Sequence, residues 1–314
     1  MKREFGYAEL SFHTFQWNGT VTIFTEDSVC LVFPCEKIML LLPTLNIGYP
    51  TRRRMDTDLT NKLVALALAS VEGFRSLAFA AGGTCEEVGG TICWYSASHV
   101  HLFNGAALLS GSQINPDNLD AIDLYFARKG RPYCLLTLQD LVPSAAMQLA
   151  HLGYSEAETL PAMWLSGPPN RWRGSPEELS ISRVSTPGEL EAFRSVLSRI
   201  FFMPRAEVDL VLGDRTLEAG HVHHYVGKLG EVPVATTTLV LDGTLAGIWN
   251  VGTLREHGRR GIGTEMMHHA LDDAINLGYG KSMLLASAEG VPLYERLGYY
   301  TLSMVKTFVP ARQR

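Results

Sequence analysis

A surplus of basic residues is missing from this chain: 27 Lys and Arg stand against 32 Asp and Glu, a net charge of −5 over 314 residues. Phosphate binding needs clustered Lys and Arg, so nucleic acid is not expected as the main partner. Cysteine is scarce as well. Cys30, Cys35, Cys85, Cys93 and Cys134 all lie in the first half without C-x-x-C spacing, which argues against a zinc site or a disulfide framework. The expectation is reduced thiols in a cytoplasmic protein, acting as small buried hydrophobes rather than nucleophiles. Long uncharged apolar runs are also lacking. Glu36 and Lys37 break one apolar stretch and Glu72 and Arg75 another, so no run offers the roughly 20 residues a membrane helix needs. No apolar segment follows the basic start Met1-Lys2-Arg3, and a secretory leader is not expected.

What is present points to a well-buried core. Hydrophobic residues make up 46% of the chain and charged residues 19%, which argues against long disorder. At roughly 150 residues per domain the length predicts two domains. Residues 1–54 read as an N-terminal extension; it has β-like runs at Thr20 to Thr25 and Val29 to Phe33 but no helical periodicity, and poor order is one expectation for it. A first unit spans 55–166, a linker 167–178 and a second unit 179–314. The linker, from Gly167-Pro168-Pro169 to Pro176, is dense in helix and strand breakers.

The first unit reads as a helix over Leu63 to Ala81, strands at Thr91 to Ser96 and His99 to Leu109, a helix at Leu119 to Arg128, a strand at Tyr133 to Leu138 and a helix at Ser144 to His151. In the second, Leu179 to Val184 alternates as a strand, and Thr186-Pro187-Gly188-Glu189 supplies a capping box with proline at the first helical position. That helix runs to about Phe201, with another over Ala206 to Glu218. A hairpin pairs His224 to Leu229 with Val232 to Leu241, and Ala246 to Thr253 is a strand. A helix over Gly261 to Leu277, a strand over Ser282 to Ala286, a helix over Val291 to Leu297 and a strand over Tyr300 to Phe308 complete the chain. Met147-Gln148-Leu149-Ala150-His151-Leu152-Gly153-Tyr154 parallels Pro292-Leu293-Tyr294-Glu295-Arg296-Leu297-Gly298-Tyr299. Two copies of one α/β unit is the simplest reading.

The sharpest chemical feature is Val251 to Thr264, where a strand enters the Gly-rich turn Gly258-Arg259-Arg260-Gly261-Ile262-Gly263-Thr264 and opens an amphipathic helix. Glycine lets a ligand approach the backbone, the free N–H groups of a helix start point at an anion, and Arg259 and Arg260 add charge. Taken alone, such a turn is equally well a tight strand–helix connection. A Rossmann fingerprint would need glycine at Met266, and a P-loop would need Lys-Ser/Thr; neither is there. His221, His223 and His224 invite a metal reading, but no further ligand type lies near, so no metal is expected and a solvent-exposed strand start is.

Ala246 to Gly298 resembles the GNAT superfamily of acyl-CoA-dependent N-acetyltransferases. Gly261 and Gly263 match the Q/R-x-x-G-x-G/A signature, with Gly258 where Gln or Arg is usual. Tyr294 matches the last position of N-x-x-A-x-x-x-Y, with Ser287 and Gly290 in the Asn and Ala places. The first half resembles the degenerate copy of tandem GNAT proteins. The resemblance implies an α/β (α+β) fold of two tandem GNAT-like units. Each is a mixed, mostly antiparallel sheet flanked by helices, with splayed central strands in the C-terminal unit.

It further implies acetyl-CoA as co-substrate, held by Val251, Gly252, Thr253, Arg259, Arg260, Gly261, Ile262, Gly263, Thr264 and Ser287. Tyr294 would be the general acid, in an N-acetyltransferase acting by direct attack on a primary amine of a small molecule or peptide. The strand carboxylate that usually serves as base is replaced by Trp249 and Asn250. That substitution keeps a second reading open, a non-catalytic acyl-CoA-binding sensor. In either case the expectation is a cytoplasmic monomer or homodimer without nucleic-acid or membrane partners.

Overall fold

In the computed structural model, residues 13–17, 20–24, 30–34, 57–171, 174, 178–243 and 245–311 are described. The chain divides into two units, Met1–Met55 and Asp56–Arg314. The first holds three antiparallel strands, β1 (His13–Trp17), β2 (Thr20–Phe24) and β3 (Cys30–Pro34), in that order. Two of these are the expected β-like runs, displaced by one residue or less at the start. Cys35 lies outside the described residues.

The second unit opens with α1 (Thr57–Ala80), β4 (Thr84–Val88), β5 (Thr91–Tyr95), β6 (Gly105–Ala107), α2 (Pro116–Lys129), β7 (Cys134–Leu138), α3 (Ala145–His151) and β8 (Tyr154–Ser166). It continues with β9 (Leu179–Arg183), α4 (Pro187–Ile200), α5 (Arg205–Val211), β10 (Val222–Leu229), β11 (Val232–Asp242) and β12 (Leu245–Thr253). It ends with α6 (Ile262–Asn276), β13 (Lys281–Leu285), α7 (Val291–Leu297) and β14 (Tyr300–Pro310). All eleven strands form one sheet in the order β4-β5-β6-β7-β14-β8-β13-β12-β11-β10-β9.

One pattern occurs twice in that sheet. Strands β4, β5 and β6 pair antiparallel, α2 follows, β7 returns parallel to β6, and α3 leads into β8. Likewise β10, β11 and β12 pair antiparallel, α6 follows, β13 returns parallel to β12, and α7 leads into β14. The closing strands are exchanged. β8, from the first half, pairs with β13, whereas β14 pairs with β7.

Local sequence explains most element ends. Thr186 Oγ1 accepts from the Glu189 N–H at 3.3 Å while Glu189 Oε2 accepts from the Thr186 N–H at 3.0 Å, the reciprocal bonds of the predicted box. Two expected elements are interrupted, each by a long-range contact. The strand expected over His99 to Leu109 is broken by a 3-10 turn, His101–Phe103, because buried Asn104 bonds across the loop. Its Oδ1 accepts from the Ser96 N–H (2.9 Å) and its Nδ2 donates to Ser98 O (2.9 Å) and Pro132 O (3.1 Å). The helix expected over Ala206 to Glu218 stops at Val211, where Gly213 comes so near that a Cβ would lie 2.3 Å from Ala80 O.

Residues Asp58–Ala80 are long and apolar enough to cross a membrane by length and composition, although Glu72 and Arg75 interrupt the stretch. Those two side chains pair with each other at 3.0 Å, and Leu63, Leu66 and Ala67 are wholly buried against the sheet in this fold. Both faces of the sheet near β12 are covered. α6 and α7 pack on one, with Ile262, Met266, Ala270 and Tyr294 in a core that includes Ile248 and Leu284. On the other, α1 places Phe74 edge-on to Trp249, and α4 and α5 enclose Leu190, Phe193, Val208 and Val226.

Candidate active site

Strands β12 and β13 are parallel neighbours for only two rungs, Ala246↔Ser282 and Gly247↔Met283, and then part. The divergence has a local cause. Two residues of β12, Asn250 and Val251, face the single Thr237 of β11 between the rungs Thr238↔Trp249 and Thr236↔Gly252, so β12 carries a bulge. Asn250 sits in the left-handed region (φ +53°), which Asn tolerates better than most residues. Its carbonyl accepts from Thr236 Oγ1 at 2.8 Å and its Nδ2 donates to Thr238 Oγ1 at 3.1 Å. The corresponding β6 and β7 stay joined along all of β6, and the Leu108 N–H adds a bond to Leu136 O at 2.8 Å.

Beyond β12 the backbone turns through a 3-10 turn, Arg255–His257, into Gly258 and α6. Arg259 (φ +60°) and Gly261 (φ +80°) are both left-handed. Such reversals turn successive N–H groups toward one side, the geometry of an anion-binding concavity. No side chain caps α6 at Gly261, so the first-turn amides of Ile262, Gly263 and Thr264 have no partner within the helix. Arg259 and Arg260 are exposed, without an ion-pair partner among the described residues. A Cβ at Gly263 would sit 3.6 Å from both Thr253 Oγ1 and Leu293 Cδ2, ordinary contact distances. The end of β12, the start of α6 and α7 therefore converge, and with them Thr253, Gly263 and Leu293, the residue before Tyr294. At Gly252 a Cβ would lie 2.4 Å from Ile200 Cγ2, so the end of α4 rests directly on this strand.

The matching turn of the first half is closed. Asn115 Oδ1 accepts from the Asn118 N–H at 3.0 Å, and Pro116 has no N–H to offer. Ser110 and Gln113 form a further capping box around the 3-10 turn Gly111–Gln113. These backbone amides are already engaged.

Tyr294 is 7% exposed, and its ring lies 6.1 Å from that of Tyr299. Desolvation pushes its hydroxyl up from 10 to about 12, so it stays protonated throughout the neutral range. The ring covers Gly290, where a Cβ would meet Tyr294 Cε2 at 2.7 Å, so a larger residue there would have to displace the ring. Ser287 Oγ accepts from the Gly290 N–H at 3.2 Å, a bond that holds the turn carrying Tyr294.

The histidines correct an expectation. His223 and His224 are buried rather than solvent-exposed, at 4% and 3% accessibility. His223 Nδ1 lies 2.9 Å from Asp273 Oδ2, and His224 is fixed on both sides, with Nε2 at 2.7 Å from Thr216 Oγ1 and Nδ1 at 2.8 Å from Thr238 Oγ1. Their partners come from segments distant in sequence, which no local pattern reveals. Among the described residues no group of three His, Cys, Asp or Glu is placed to hold a metal ion. Sequence reasoning also missed α1 as the rear wall. A Cβ on Gly73 would lie 2.1 Å from Trp249 Cζ2, and the space left between α1 and the sheet is a cavity of about 10 Å³.

Burial holds the His224 ring neutral, with its pKa lowered to about 3. Unfolding frees the ring to take up a proton below its ordinary pKa near 6.5. Its contribution to stability is thus complete above pH 6.5 and is lost progressively as pH falls toward 3. The ring Cε1–H resonance should keep its neutral-form shift in an NMR titration from pH 8 to 4.5; an inflection near 6.5 would show that the ring is open to water.

Residues 190–299 match the acetyltransferase (GNAT) family. That span runs from inside α4 through the bulge, the glycine turn and Tyr294 to Tyr299. A GCN5-related N-acetyltransferase from Kribbella flavida shares the fold at 18% identity, with a TM-score of 0.64 over 80% of this chain and 96% of its own. A GCN5-related N-acetyltransferase from Sphaerobacter thermophilus aligns at 15% identity and a TM-score of 0.53, over 69% of this chain and 75% of its own. A functionally unknown conserved protein from Staphylococcus epidermidis aligns at 13% identity and 0.52, over 73% and 93%. No curated protein matches the chain in sequence. These structures share the fold of this chain well beyond the segment that the family match covers.

Proposed function

We propose that this protein transfers an acetyl group from acetyl-CoA to a primary amine of a small molecule or peptide. The observation that carries the reading is the parting of β12 and β13 beyond Gly247 and Met283, directly ahead of an uncapped helix start flanked by two exposed arginines. A slot between strands that leads to a phosphate-sized nest suits a thioester on a pyrophosphate-bearing carrier. In this reading the backbone of Val251 to Thr253 lies along the carrier, and Arg259 to Thr264 hold the pyrophosphate. The amine nitrogen bonds to the acetyl carbon, the C–S bond breaks, Tyr294 protonates the departing thiolate and the amine loses its proton to water. Burial keeps the Tyr294 hydroxyl protonated at neutral pH, so it has a proton to give as the thiolate leaves.

We read the two halves as copies of one unit, of which only the second binds the carrier, because β6 and β7 never part and the first turn of α2 is capped. The protein would act in the cytoplasm, as a monomer or homodimer, without nucleic-acid or membrane partners. Calorimetric titration should give one CoA per chain; a ratio near two would refute the assignment of a single site. Thiol release from acetyl-CoA over a panel of amines tests the activity itself. Saturable CoA binding with no release for any amine would make the protein an acyl-CoA sensor.

A further inference from the structure

We propose that the acceptor is an aromatic amine of low basicity, gripped by Phe201 and Phe202 at the lip of the splay, an inference that rests on the acyl-transfer reading above. The lip is the turn between α4 and α5. Its position is fixed by two contacts to the strand and loop of the candidate site, Ile200 against Gly252 and the Arg199–Glu256 ion pair at 2.5 Å. The turn itself is clasped, with the Met203 N–H donating to Ser198 O (3.1 Å) and Ser198 Oγ donating to Met203 O (2.7 Å).

This clasp holds Phe202 in the left-handed region, at φ +51°, where a bulky side chain is strained. The strain yields no burial in return. Phe202 is 86% exposed and Phe201 46%. Glycine would relax that backbone, and a smaller polar residue would suit the solvent better. A clasped, strained and exposed ring beside a site has the features of a contact waiting for a flat apolar partner.

The chemistry of β12 narrows that partner independently. From Leu245 to Thr253 the strand has no ionisable side chain. The imidazole bonded into the bulge network, His224, is locked neutral and accepts no proton near pH 7. An alkylamine, with a pKa near that of lysine at about 10.4, would arrive as an ammonium ion and need a base before it could attack. An arylamine needs none, because delocalisation into its ring leaves the nitrogen unprotonated at neutral pH. The position of that turn fits as well: α1 closes the sheet behind Trp249, and the turn that carries Phe201 and Phe202 follows directly on Ile200, which rests on Gly252 at the end of β12.

The test uses 4-fluoroaniline as a ¹⁹F NMR probe, titrated into the full chain with and without CoA. Wild-type protein should bind it saturably, and Phe202→Gly should weaken binding at least tenfold while melting no lower than wild type, since glycine relieves the strained φ. In turnover with the same amine and acetyl-CoA, Phe202→Gly should raise KM tenfold and leave kcat within about twofold. Absence of saturable binding to wild type, or equal binding by Phe202→Gly, would overturn the proposal. Saturable, Phe202-dependent binding without thiol release would uphold the aromatic lip while refuting acyl transfer, so the two readings fail separately.

Discussion

Gly263→Asp is expected to weaken CoA binding about 100-fold while leaving the fold at least as stable. The two effects have opposite signs for one physical reason. An aspartate in the first turn of α6 complements the helix dipole, and replacing glycine there removes freedom from the unfolded chain; both changes favour the folded state. The same carboxylate would stand where we place the pyrophosphate. Two unit charges about 4 Å apart near a protein surface repel by about 4 kcal/mol, close to three decades in Kd, and salt reduces this. Gly263→Ala is the steric control. Its methyl would meet only Thr253 Oγ1 and Leu293 Cδ2 at 3.6 Å, so CoA affinity should stay within about threefold of wild type. Calorimetry with melting curves measures both. Unchanged affinity in Gly263→Asp would remove the carrier from this turn.

Tyr294→Phe is expected to lower kcat by about 100-fold, with KM for acetyl-CoA and melting temperature at neutral pH nearly unchanged. Positioned acids and bases contribute about 10²- to 10⁴-fold, and a thiolate leaves tolerably unaided, which argues for the low end. Phenylalanine keeps the ring over Gly290 and against Tyr299 and deletes only the hydroxyl. Because burial raises the folded pKa to about 12 from 10, this side chain's contribution to stability is complete below pH 10 and is lost as pH climbs from 10 toward 12. The variant should lack that share of the alkaline destabilisation. Wild-type kcat in a folded Tyr294→Phe would assign the proton to water.

What could be read from the sequence was what neighbouring residues decide among themselves. Thr186, Pro187 and Glu189 specify the start of α4 with no help from elsewhere, and the glycine turn before α6 is likewise a local object. The same holds for α7, where Gly290 and Gly298 bracket Tyr294. The misses all involve distant partners. Nothing near His224 announces Thr216 and Thr238, nothing near Gly213 announces Ala80, and nothing near Trp249 announces Gly73. Phe201 reads as the end of a helix, and only the fold shows it and Phe202 left on the surface.

The exchange of closing strands sets a schedule for synthesis. β7 is one of the most apolar strands, Cys134-Leu135-Leu136-Thr137-Leu138, and every residue of it is buried in the finished sheet. One of its neighbours, β6, precedes it in the chain, but the other is β14, whose rungs Val305↔Leu138 and Phe308↔Leu135 span most of the remaining sequence. Ribosomes add about 5 to 20 residues per second, so the nascent first half carries a bare, uncharged strand edge for many seconds before its partner exists. Unpaired edges of this composition template aggregation. A pause or truncation late in translation would therefore leave the finished-looking first half as the sticky species, and a chaperone that shields an exposed β edge would be needed most while the second half is being made.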